Sequence, residues 1–249
     1  MAEQVNIICV KWGKKYGPEY VNRLQSMVSR NLTLPHRFVC FTDDAAGIEA
    51  GPHLEVQELP LVDFADFDNR EPWTKAHGWL KVTSFANPLA DLEGTTLFLD
   101  LDVVIVDNID CLFSPEGEFY VIKEWDKKDE TGNTSVFRFQ AGAHADLIEL
   151  LKTTKKQALE TYRNEQEFVT HTLHRQGKLQ YWPSGWCASF KRHCLPSWPA
   201  QLFKTAIIPQ GAKIIIFHGK PHPDAAAAGK SGKWYRHVKP VQWITDNWR

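Results

Sequence analysis

One stretch constrains this chain more than any other: TTLFLDLDVVIVDNID, from Thr95 to Asp110. It has the apolar density of a strand buried on both faces, yet carboxylates interrupt it at Asp100 and Asp102. An ionised carboxylate in an apolar interior is costly unless a partner compensates it. Strand side chains alternate, so the two acids are expected on one side and Leu101 on the other. Two carboxylates side by side at a strand's end suit a hard divalent cation, Mg2+ or Mn2+, which takes oxygen ligands and is commonly shared with substrate phosphates. The alternative is a pair of exposed turn acids just beyond the strand.

The rest of the chain indicates what kind of sheet this strand joins. VNIICV (Val5–Val10) is an apolar run of strand length. Pro18 opens a helical pattern to about Asn31, with Tyr20, Leu24, Met27 and Val28 on one face. RFVCF (Arg37–Phe41) and LEVQEL (Leu54–Leu59) read as further strands. A loop with Asp63, Asp66 and Asp68 leads through Pro72 to a helix expected from Trp73 to Ala86. Strands alternating with helices predict an α/β fold with a largely parallel sheet covered on both faces. In such sheets ligands bind beyond the carboxyl ends of the strands. That edge would collect the loops after Val10, after Phe41 and around Asp100. The second half is mixed, with EFYVIKE, TSVFRF, helices near 143–175, LQYW and KIIIF. The expectation is one domain over residues 1–223. Residues 224–249 then form a tail, with PHPDAAAAGKSGK as the mobile loop or hinge leading into an aromatic and basic end.

The formal net charge of 249 residues is -1 at pH 7, which gives no sign of a nucleic-acid partner. The start, MAEQVNIICV, lacks the basic region and cleavage site of a signal peptide. No apolar run approaches the roughly 18 residues of a membrane span. Five scattered cysteines without a CxxC pair argue for a reduced, cytoplasmic setting and against a zinc site. Ten tryptophans, several near the C-terminus, suit packing, or, where exposed, sugars, bases and membrane interfaces.

LFLDLDVVIVDNIDCLF (Leu97–Phe113) resembles the YLDaDvlvlgdldeLf signature of the glycogenin and lipopolysaccharide galactosyltransferase group, and the KWG…YGPEYVN start is similar to uncharacterised bacterial glycosyltransferases. The resemblance implies the GT-A (Rossmann-like) fold, a mixed, largely parallel sheet flanked by helices. It implies metal-dependent transfer of a sugar from a nucleoside-diphosphate sugar, UDP-sugar first among them. The acceptor is a hydroxyl of a saccharide, lipid-linked or protein molecule, and the anomeric configuration is retained. Two other readings stand beside it. DLDVVI also fits the D-x-D-x-T/V start of phosphatase-like hydrolases, although there the motif lies on the first strand and the acidic pair follows it, whereas Asp43-Asp44 comes earlier here. A non-catalytic sugar-nucleotide-binding protein is the third reading.

Carried over position by position, the resemblance makes Asp100, Asp102 and His218 the metal ligands, with His222 a rival to His218. Lys81 in GWLKV and Lys220 in HGKP would meet the diphosphate, although the latter motif is compressed relative to the family's. Asn133 in NTSVFRF would contact the donor sugar, with Ser135 where the family has glycine. In YRNEQEFV, Gln166 falls on the family's glutamine near the anomeric carbon and Glu165 on the acid before it. The same residues also read as a helix start, Asn164 capping and Glu167 completing a capping box. Tyr16, Trp12 and Lys11 follow the first strand, where the family contacts the base, and Asp43 suits base or ribose. The tail KWYRHVKPVQWITDNWR suits either packing on the domain or an anionic membrane surface, which would make the chain peripheral on the inner membrane face.

Overall fold

The computed structural model describes residues 4–60, 76–231 and 237–249. The expected acids at 63, 66 and 68, the start of the helix expected from Trp73, and the KWYR of the tail lie outside these residues.

The first apolar run forms β1 (Val5–Lys11), followed by α1 (Pro18–Asn31) and β2 (His36–Thr42). Proline at the first turn of α1 has no N–H to leave unsatisfied. The buried stripe of that helix is Tyr20, Val21, Leu24, Met27 and Val28. β3 (Glu55–Glu58) is shorter than the six residues read from the sequence. Of the next expected helix, the described part is α2 (Ala76–Trp79), which tightens at once into a 3-10 turn, Leu80–Phe85. β4 (Thr95–Leu99) follows, then β5 (Val103–Ile105), β6 (Phe119–Lys123), β7 (Gly132–Gln140), α3 (Ala145–Thr161) and α4 (Glu165–Arg175). The chain closes with β8 (Leu179–Tyr181), β9 (Cys187–Ser189), β10 (Ile214–Ile216), α5 (Pro223–Ala227) and α6 (Gln242–Asn247).

Among the described residues these strands form a seven-stranded sheet, order β3-β2-β1-β4-β7-β6-β8, and a three-stranded sheet, β5-β10-β9. In the large sheet β3, β2, β1 and β4 run parallel, β7 is antiparallel to both neighbours, and β8 is parallel to β6. The sheet is therefore mixed and mostly parallel, flanked by helices. Alternation along β1 feeds two cores. Val5, Ile7 and Cys9 enter one, with α1, the small sheet, Ala226 and the Val238–Trp248 segment. Ile8 and Val10 enter the other, with the 3-10 turn, α3 and α4. Phe98 of β4 stacks on Phe137 of β7 at 4.6 Å, a geometry that adds about 1 kcal/mol beyond burial.

The structure corrects two expectations. The Thr95–Asp110 run is not one strand. It breaks after Leu99, turns through Leu101 and Asp102, and restarts as β5 in the other sheet. The expected mobile loop at 221–233 contains a packed helix instead, since Ala226 is fully buried. β9 had no expectation; three residues of CAS carry too little periodicity to read.

Candidate active site

The break after β4 creates the site. Asp100 still donates its N–H to Ser135 O of β7 at 2.9 Å, so it is held in the large sheet's register, while Asp102 lies in the turn just before the small sheet begins. Asp102 is buried. The Tyr16 hydroxyl, from the turn after β1, donates to Asp102 Oδ2 at 2.5 Å. His222, just ahead of α5, brings Nδ1 to 3.9 Å from the same oxygen and sets its ring edge-on to Tyr16, centroids 5.6 Å apart. That Nδ1 is buried and has no hydrogen-bond partner among the described residues.

Electrostatics make this corner short of positive charge. Burial, then the charge of Asp100, pushes the Asp102 carboxyl up to about 6, with Tyr16, Lys15 and Lys81 offsetting part of the rise. Burial and then Asp102 raise the Tyr16 phenol, so it stays a proton donor. Burial and then Lys15 lower His222, which is therefore neutral and in the form that binds metals.

A second group of residues stands behind Asp100. Lys81 of the 3-10 turn is buried, with Nζ 2.9 Å from Asp100 Oδ1 and 3.5 Å from Glu165 Oε1. It also donates to Thr134 O at 3.3 Å. Burial alone would lower the Lys81 ammonium, but Asp100 and Glu165 override it and hold the group well above its usual range. Thr134 Oγ1 donates to Glu165 Oε1 at 2.9 Å. Glu165 opens α4, where Asn164 Oδ1 caps Glu167 N at 3.1 Å. The reciprocal half of the expected capping box is displaced by one residue: Glu167 Oε2 accepts from Arg163 N, not from Asn164 N. Gly78 backs this arrangement, for a Cβ there would stand 2.9 Å from Glu165 Oε2.

The remaining expected residues are placed as follows. Gln166 is half-buried beside Glu165, and its side-chain amide makes no hydrogen bond among the described residues. Asn133 is buried at the start of β7; its amide donates to Glu124 Oε2 at 3.3 Å and its oxygen accepts from Ser135 N at 3.1 Å. Lys11 is buried and donates to Asp44 O at 2.9 Å, and Asp43 accepts from Gly13 N at 3.0 Å. Both therefore brace the loops after β1 and β2. Trp12 packs on the second core. His218 Nε2 meets Ser189 Oγ at 2.6 Å, and its ring stacks on Trp125 at 5.5 Å. Lys220 is exposed. Of the tail tryptophans, Trp248 is buried against Tyr20 with Arg23 over its ring, and Trp243 donates to Ala206 O.

Sequence reasoning missed Thr134, Glu124 and Ser189, since single polar residues near strand ends carry no pattern of their own. Glu124 lies across the β6–β7 hairpin from Thr131, whose carbonyl accepts its N–H, a pairing that only the fold reveals. Two carboxylates and a neutral buried imidazole suit a hard divalent cation. Among the described residues, however, no group of three or more His, Cys, Asp and Glu converges at metal-binding geometry. A cavity of about 590 Å³ bordered by Phe41, Asn87 and Ile148 contains none of these site residues.

The chain has the GT-A fold. In particular, it is similar to the galactosyltransferase LgtC solved in complex with donor and acceptor sugar analogs, with TM-score 0.60 and 13% identity over 88% of each chain. A structure of LgtC with an active-site glutamine replaced by glutamate gives TM-score 0.61 and 13% identity, covering 97% of this chain and 94% of that one. No protein-family model and no curated protein sequence matches the chain.

Proposed function

We propose that the chain is a glycosyltransferase that moves a sugar from a nucleoside-diphosphate sugar, a UDP-sugar first among the candidates, to an acceptor hydroxyl with retention of configuration. The observation that carries this reading is the pairing of Lys81 with Asp100 and Glu165, beside the cation-deficient Asp102, in a fold shared with LgtC. Asp100, Asp102 and a histidine of the 218–222 segment would hold Mn2+ or Mg2+. His222 is favoured by its orphaned ring nitrogen, and His218 by the family resemblance. When bound, the ion supplies positive charge to the diphosphate as its bond to the sugar breaks.

The chain's own residues do the rest. Lys81 orients Asp100. Tyr16 fixes one oxygen of Asp102 and leaves the other for coordination. Lys220, exposed after β10, would meet the departing diphosphate. Glu165, fixed by Thr134 and Lys81, would accept hydrogen bonds from donor-sugar hydroxyls. The Gln166 dipole would support the positive charge on the sugar as the acceptor hydroxyl attacks from the face the diphosphate leaves. Asn133, Trp12, Lys11 and Asp43 would bound the donor and base pockets. The acceptor is a saccharide, a lipid-linked sugar or a protein.

The test is metal-dependent turnover of UDP-, GDP- and CMP-sugars, with free nucleotide as readout. Hydrolysis or transfer that needs Mn2+ or Mg2+ supports the reading. Nucleotide binding without turnover, or phosphate release from a simple phosphoester, overturns it.

A further inference from the structure

The near-neutral net charge conceals a strong division along the chain. Residues 1–167 carry 17 Lys and Arg against 28 Asp and Glu, net -11, while residues 168–249 carry 12 against 2, net +10. No acid occurs between Glu167 and Asp224, a stretch with seven Lys and Arg. Within that stretch lie the large hydrophobic side chains that the described residues expose most: Trp198 at 67%, Phe203 at 76% and Ile207 at 68%. Isolated exposed apolar residues are ordinary, but three within ten residues of one connection are not.

The connection is held firmly from behind. Phe203 N donates to Ala200 O and Ile207 N to Cys194 O, both at 3.0 Å. Trp243 Nε1 anchors Ala206 O at 3.0 Å, and Lys239 Nζ anchors Phe203 O at 2.9 Å. The backbone is thus satisfied internally while the apolar side chains project outward, with the exposed Lys204 beside Phe203.

We propose that this connection, Ser197–Ile207, docks on the surface of an anionic lipid bilayer. Tryptophan and phenylalanine enter the boundary between headgroups and acyl chains, and lysines meet the headgroups. Residues 197–207 carry Lys204 and no acid, and Lys239 reaches their backbone, so the charge of this connection suits an anionic surface. The surface is not the one expected from the C-terminal tryptophans, since Trp243 and Trp248 are turned inward. The inference stands independently of the transfer reaction.

Flotation of the full chain with vesicles tests it, using phosphatidylcholine alone and phosphatidylcholine mixed with phosphatidylglycerol. Binding is expected to the mixed vesicles only, and to weaken as salt rises from about 50 to about 500 mM. The triple variant Trp198→Ser, Phe203→Ser, Ile207→Ser is expected to lower partitioning about tenfold or more, and Lys204→Glu to lower it less, both with unchanged circular dichroism. These sites are exposed, so folding is not at stake. Failure to bind the mixed vesicles overturns the proposal, as does a triple variant that still binds. A wild-type dimer that the triple variant turns into a monomer would assign the face to a second copy.

Discussion

Lys81 Nζ lies 2.9 Å from Asp100 Oδ1, and this single contact sets how much negative charge the turn after β4 can hold. With Lys81→Met, Asp100 and Glu165 would face each other across a mostly buried space without a cation. Removing one partner of a buried ion pair costs about 3 kcal/mol. Urea denaturation should show a loss of that order, and an unchanged midpoint would mean the contact contributes no stability.

Asp102→Asn should abolish metal-dependent turnover without unfolding the chain. Ionising Asp102 is uphill in the unliganded protein, since burial and Asp100 push its carboxyl up to about 6. A folded value above the ordinary 3.8 means that stability falls as pH rises between the two. The amide removes that penalty, so thermal stability of the unliganded variant at neutral pH should equal or exceed the wild type's. Full activity would remove Asp102 from the mechanism, and a large fall in stability would contradict its electrostatic setting.

Gly78→Ala should impair the reaction more than the fold. The new methyl would stand 2.9 Å from Glu165 Oε2, displacing a carboxylate whose other oxygen is tied to Thr134. The cost in stability should be about 1 kcal/mol, typical of mild overpacking. The steady-state kcat/KM for the donor should fall about tenfold or more, as expected when a group near the sugar is misplaced. Equal effects on both would argue that Glu165 only supports the fold.

His144 makes stability sensitive to acid. It is fully buried, edge-on to Phe85 and Phe119, and burial lowers it below its ordinary 6.5. The unfolded chain therefore takes up this proton at a higher pH than the folded one, so the group leaves stability unchanged above pH 6.5 and lowers it as pH falls below 6.5 toward the folded value. Urea midpoints followed from about pH 7.5 to about pH 5 should decline, and His144→Leu should flatten the decline. Parallel curves for the two proteins would remove His144 as a source.

The parts of the fold legible in the sequence were those with strong periodicity and marked ends. Pro18 and the stripe from Tyr20 to Val28 fixed α1, and the apolar runs of β1 and β2 were found within a residue. The Asn164 cap located the start of α4, and with it Glu165. Where the reading failed, tertiary pairing decided. Residues 103–105 are as apolar as 97–99, so nothing local marks the change of sheet; it depends on β10, more than 100 residues later. For the same reason Asp100 and Asp102 could be found as a pair, while their distinct settings, one against Lys81 and one against Tyr16 and His222, could not.

The break between β4 and β5 also fixes a length. Asp100 is bonded to Ser135 in one sheet, and Val103 is paired with Ile216 in the other, so only Leu101 and Asp102 bridge the gap. Surface loops in general can gain or lose a residue at little expense, but this link has no slack at either end. Natural variants should therefore differ here in side chain and never in spacing, and an inserted glycine should do more harm than any single substitution.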